Sequence, residues 1–226
     1  MTDENIPSKD PADEGSLGGA LRSVFRKMMQ ATDGMLPATV VSYDRAANVA
    51  TVRPLIALLT TGGAQVQRAQ LAQVPVLALG GGGFVINFPL QPGDRGWIEA
   101  SDRDISLFLQ SGGDAPPNTL RLHSFEDGRF VPDVFAAFDV SDVAEDAMTI
   151  QSTDGAVRLE LSPAAIKMTA PEVTIDTDQF TVNGPSLLNG DVETVGTLTN
   201  NGVNVGSTHT HGGVQTGGGT SGPPTP

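Results

Sequence analysis

Apolar and polar positions follow three rhythms along this chain, and each rhythm predicts a different element. Residues 1–16, MTDENIPSKDPADEGS, are polar and mostly acidic and read as a disordered tail. The next stretch, LGGALRSVFRKMMQATDG, places Leu21, Val24, Phe25 and Met28 at i, i+3, i+4 and i+7, one face of a helix. Gly34 supplies a stop, so a helix is predicted within 17–35. Such a face ordinarily packs on its own domain. The alternative is a helix that docks on a neighbouring protein.

From Leu36 the period falls to two. Val41 and Tyr43, then Val49, Thr51 and Arg53, flank DRAAN as a turn, which is a hairpin signal. LAQVPVLAL, the glycines at 80–83, FVINFPL and the Pro92-Gly93-Asp94 turn before a strand at Gly96–Glu99 continue the pattern. Over 36–135 this predicts a small Greek-key barrel, OB-fold-like. A sandwich of similar size is the other solution. GGGG lacks the Lys-Ser/Thr and following helix of a phosphate loop and reads as a hairpin tip. His123, with Glu126 and Asp127 nearby, has the residue types for acid–base work. No nucleophile or second motif joins them, and a loop leaving the barrel is the plainer reading.

After a linker at 136–144 the strands become very short. Met148 and Ile150 alternate, as do Val157, Leu159 and Leu161, Ile166 and Met168, Val173 and Ile175, and Phe180 and Val182. Leu187, Val192, Val195, Leu198, Val203 and Val205 follow, with Asp, Asn, Gly or Pro in nearly every interval. A loose repeat of this kind over 145–206 predicts a β-helix. So few apolar side chains per strand cannot bury enough surface alone. Several copies wound around a shared axis would solve that problem, and threefold is the simplest closed case.

Composition narrows the function. Apolar residues are 38 % of the chain, with one Trp and one Tyr, so any core is built from small β-branched side chains. A net charge of −13 argues against nucleic acid and against docking on an anionic bilayer. There is no cysteine, which excludes disulfides, thiolate metal sites and cysteine nucleophiles. No 18-residue apolar run is present, and the acidic start is unlike a signal peptide. The expectation is a protein made in the cytoplasm that does not leave by a cleaved signal.

The final stretch, 207–226, reads STHTHGGVQTGGGTSGPPTP. In an extended strand His209 and His211 face the same side. Three chains would bring six imidazoles together, a set suited to an octahedral transition ion such as iron, nickel or cobalt, whereas zinc prefers four ligands. Such an ion would staple chain ends that no disulfide can join.

Three stretches now carry a resemblance: LPATVVSYDRAANVATVRPLI with VPVLALGGGGFVINFPLQPGDRGWIEASDRDISLFLQSG, then RLHSFEDGRFVPDVF, then STHTHGGVQTGGGTSGPP. Together they resemble the baseplate central spike proteins of contractile-tailed bacteriophages and related tailocins. The resemblance implies an all-β homotrimer: an OB-fold collar, an intertwined triple-stranded β-helix, and a pointed apex in which His209 and His211 of three chains bind one iron ion. It implies a virion protein at the baseplate tip that pierces the host outer membrane when the sheath contracts. Its partners would be tail tube or hub proteins, with the N-terminal helix a candidate contact. The resemblance also implies no catalysis and no small-molecule substrate. Some relatives insert a muramidase between barrel and β-helix, but FAAFDVSDVA leaves no room for one.

Two other functions are compatible with a β-helix. A glycan-cleaving tail enzyme would need paired carboxylates in a groove, and Asp154, Glu160, Glu172, Asp176, Asp178, Asp191 and Glu193 are the candidates. A collar or adhesin that never pierces a membrane is the third reading.

Overall fold

A computed structural model describes residues 15–30, 32–60, 63–209 and 217. The chain divides into two compact units, Met1–Pro171 and Glu172–Pro226.

The first unit opens with helix α1, Leu17–Gln30. Ser16 caps it, its hydroxyl accepting from the Gly19 N–H at 3.0 Å. The apolar stripe forms as the periodicity predicts, but it does not pack on its own domain. Leu21, Val24, Phe25 and Met28 are all more than half exposed. Periodicity specifies which residues share a face, and it cannot specify what covers that face.

Strands β1 (Met35–Asp44) and β2 (Val49–Pro54) form the predicted hairpin. Asp44 accepts from the N–H groups of Ala46 and Ala47, and Asn48 takes the left-handed conformation at φ 53°. The small hairpin β3 (Leu58–Leu59) with β4 (Gln65–Val66) leads to β5 (Leu71–Pro75). A second hairpin, β6 (Leu79–Gly81) with β7 (Phe84–Ile86), turns at Gly82 and Gly83 with φ of 60° and 86°. Two glycines adopt such values in succession without strain. The four-glycine run is therefore a hairpin tip. Strand β8 (Arg95–Ser101), helix α2 (Ser106–Ser111) and strand β9 (Ser124–Pro132) complete the domain.

The main sheet runs β5-β2-β1-β8-β9 and is antiparallel throughout. Its two outer strands then meet: Val76 pairs with Phe130 in parallel, and the Leu77 N–H donates to the Phe130 carbonyl at 2.8 Å. The result is the nearly closed, five-stranded barrel that the alternation over 36–135 predicts. Its core is Ala38, Val40, Ala50, Val52, Val74, Val76, Leu90, Ile98, Phe125 and Phe130. Small side chains fill a small barrel, and two phenylalanines supply the bulk. Gly96 is required by this packing, since a Cβ there would collide with the Val131 carbonyl oxygen and the Phe130 ring.

Three further strands follow the linker: β10 (Met148–Gln151), β11 (Arg158–Leu161) and β12 (Ile166–Thr169), paired antiparallel in that order. In the second unit the described strands are β13 (Thr199–Asn200) and β14 (Val203–Asn204), joined by Asn201 at φ 50° and Gly202 at φ 79°. Mostly β structure with two helices among the described residues matches the expected class. An intertwined β-helix is a property of several chains. Within one chain the apolar alternates of 145–206 lie on β10–β12 and on exposed, largely irregular backbone.

Candidate functional site

Cross-strand partners in an antiparallel sheet project to the same face. In β10–β12, Met148 pairs with Leu161 and Ile150 with Leu159, and these pair onward with Ile166 and Met168. One face is therefore wholly apolar. The opposite face carries Thr149, Gln151, Arg158, Glu160, Lys167 and Thr169.

The burial of these faces is the reverse of what a lone soluble sheet requires. Ile166 is 71 % exposed and Met168 62 %, while Arg158 and Glu160 are buried. The polar face is covered by the chain's own linker. The Asp139 carbonyl accepts from Gln151 Nε2 at 2.5 Å, and the Asp142 carbonyl accepts from Arg158 Nη2 at 3.5 Å. Beneath the linker Arg158 Nε lies 2.7 Å from Glu160 Oε1, and Lys167 Nζ reaches the same oxygen at 3.3 Å. Burial alone would raise Glu160 above its usual range. The Lys167 hydrogen bond and the Arg158 charge outweigh it and hold the carboxyl below that range. Among the described residues the apolar face has no such cover: Met148, Ile150, Ile166 and Met168 are exposed, with Leu159 and Leu161 half-buried between them. A patch of this kind is a candidate interaction surface.

His209 follows the β13–β14 hairpin. That hairpin is tied down locally: Val205 N–H donates to the Leu198 carbonyl, Gly206 N–H to Asn204 Oδ1, and Asn204 Nδ2 to Thr208 Oγ1. His209 Nδ1 lies 2.6 Å from the Gly206 carbonyl oxygen. A carbonyl can only accept, so Nδ1 carries a hydrogen in this contact, and in the neutral imidazole the lone pair is then on Nε2. This is the arrangement that orients a histidine for metal ligation through Nε2, and His209 fits a metal ligand on that ground. His211 lies outside the described residues. Among the described residues no three His, Asp or Glu side chains gather as a metal-binding group.

The structure does not assemble the acid–base group around His123. Asp127 is occupied by Arg121, whose Nε and Nη2 donate to its two oxygens at 3.1 and 2.9 Å. The same guanidinium reaches Glu126 at 2.6 Å and Asp104 at 3.4 Å. His123 instead faces Asp102, with Nδ1 at 3.5 Å, and holds a left-handed φ of 48°. Sequence reading missed Arg121 as the organiser of this loop. The signal was present as one cation among the three carboxylates Asp104, Glu126 and Asp127. Of the carboxylates considered for glycan cleavage, Glu160 is bound in ion pairs. Asp154 is held below its usual range, first by the Ser152 hydroxyl and then by the Ala156 N–H.

Residues 36–133 match the family model described as the phage protein Gp138 N-terminal domain. That span covers the whole barrel. The match supports a structural phage protein and, with it, a component of the virion. No curated protein matches the chain.

Proposed function

We propose that this chain is the tail-tip spike of a contractile injection machine, at the end of the baseplate, and that it acts as a homotrimer. The observation that carries the reading is the bare apolar face of β10–β12, set back to back with a polar face that the chain covers itself. Further copies of the chain around a common axis would bury that face and extend the short strands into a triple-stranded shaft. The barrel, with its phage-domain match, would form the collar that meets the tail tube or hub.

The work of such a protein is mechanical. Sheath contraction would drive the shaft through the host outer membrane, and stiffness would come from strands whose edges are paired between chains. His209 and His211 of three chains would hold one iron ion at the apex. An ion bound there supplies a cross-link between three chain ends. In such an apex the glycines after His211 would allow close backbone approach, and Pro223 and Pro224 would reduce the entropy lost on ordering a cap.

The test is native mass and metal content measured together on protein purified without a polyhistidine tag. A mass of three chains with one iron per three chains supports the spike reading. A metal-free monomer overturns it and returns a glycan-cleaving enzyme or a non-piercing collar to the front.

A further inference from the structure

Three Asn-Gly pairs fall in the last third of the chain: Asn183-Gly184, Asn189-Gly190 and Asn201-Gly202. Such a pair carries the means to modify itself. The glycine nitrogen attacks the asparagine Cγ, ammonia leaves, and a succinimide ring forms. Glycine permits the approach because no Cβ shields its nitrogen. Water then opens the ring at either carbonyl. One product is aspartate. The other is isoaspartate, whose main chain runs through the former side chain and is longer by a methylene.

The structure separates the three pairs. Asn201 and Gly202 are the turn of the β13–β14 hairpin, at φ of 50° and 79°. Asn200 pairs with Val203 beside them, and the Val205 N–H donates to the Leu198 carbonyl at 2.8 Å. Ring closure requires rotation about the Asn201 Cα–C bond, which the turn holds, so the hairpin must open first. Asn183 and Asn189 have no such restraint. Both are exposed and outside any strand, and neither they nor Gly184 and Gly190 make a hydrogen bond. Asp154-Gly155 could close the same ring by losing water, but its carboxylate is held by the Ser152 hydroxyl and the Ala156 N–H.

We propose that Asn183 and Asn189 are sites of spontaneous deamidation, with isoaspartate among the products, and that Asn201 is protected by its hairpin. The consequence is both electrical and geometric. Each event adds a negative charge to a segment, 172–209, that has carboxylates and no lysine or arginine. Isoaspartate also inserts a main-chain atom between Val182 and Leu187, or between Leu188 and Val192, and puts the later apolar alternates out of phase. The inference does not depend on how many copies assemble.

The test holds the full-length protein in mildly alkaline buffer, native and in urea. Samples are mapped by peptide mass and labelled with isoaspartyl methyltransferase. A glutamate-specific protease separates Asn201 from the other two, and fragmentation resolves those. In the native protein Asn183 and Asn189 are expected to gain the mass of an amide turned to acid, and their peptide to accept label. Asn201 should react about tenfold more slowly, the factor of a modest local opening equilibrium. In urea that lag should vanish. Gly184→Ala should silence Asn183 alone, since a Cβ there meets no atom within 4 Å. Equal native rates at the three asparagines overturn the protection by the hairpin. Reaction in urea with none in the native protein overturns the sites themselves.

Discussion

Arg158 and Glu160 sit two residues apart on β11, both buried, with the guanidinium Nε 2.7 Å from the carboxylate. On a strand such residues share a face. Their ion pair therefore commits one side of the sheet to the chain's own linker and leaves Leu159 and Leu161 on the other. Removing one partner leaves a buried charge poorly compensated, which costs more than the pair contributes when intact. Glu160→Gln is expected to destabilise the sheet at neutral pH. The folded value of Glu160 lies below its unfolded value of about 4.3. Its contribution is therefore present above that pH and fades as pH falls through the folded value. Urea melts should show the gap between wild type and Glu160→Gln closing below about pH 4.

The apolar face gives a separate expectation. Replacing Leu159 and Met168 by glutamate puts charges on adjacent strands of the bare surface without touching the barrel core. The doubly substituted chain should run as a monomer in size exclusion, with an unchanged barrel signature in tryptophan fluorescence. The reporter is Trp97, held by Asp133 at 2.7 Å and by the Phe135 ring at 5.1 Å.

Barrel packing is a third point of test. Phe130 is completely buried and forms the closing bridge with Val76. Phe130→Ala should cost about 3–5 kcal/mol in denaturant unfolding. Gly96→Ala should cost about 1–3 kcal/mol, because the added methyl must displace the Phe130 ring or the β9 backbone.

The loop between β8 and β9 should depend on Arg121. Asp104 is held well below the usual carboxylate range by Ser106, whose N–H donates to one oxygen at 2.9 Å, and by Thr119, whose hydroxyl donates to the other at 2.7 Å, with Arg121 adding its charge. A depressed carboxylate stabilises above its unfolded value of about 3.9 and loses that effect on further acidification. Arg121→Met should open the loop to protease near 112–118 at neutral pH while the barrel remains resistant. Acid should produce the same cleavage pattern in the wild type.

In the proposed trimer, replacing His209 and His211 together by alanine should abolish metal binding, leave the mass of three chains unchanged and make residues 207–226 protease-sensitive. Retention of one metal per three chains in that variant would refute the histidine site.

The barrel was legible because its information is local. DRAAN, GGGG and Pro92-Gly93-Asp94 each contain the residues their turn conformations need, which places the hairpins. The alternation in the first hairpin, however, was read one residue out of phase: Val40, Ala50 and Val52 enter the core, not Val41, Val49 and Thr51. α1 was legible as a helix for the same reason. Its partner was not, because the stripe from Leu17 to Met28 has the same form whether a barrel or another chain covers it. The reading of β11 was half complete. Alternation identified Leu159 and Leu161, but nothing in RLEL says that Arg158 and Glu160 would be the buried pair in a single chain. Arg121 was missed because its carboxylates lie on both sides of it in sequence, and only the loop brings Asp104 back.

The bare face of β10–β12 also has a kinetic meaning. The barrel encloses its core within one chain, so its formation is a unimolecular event whose rate ignores dilution. In the proposed trimer that bare face would be finished by other copies, at a rate that rises steeply with protein concentration. During synthesis each collar would be complete while its shaft still waits for company, and the slowest step in making the particle's point would be the meeting of chains.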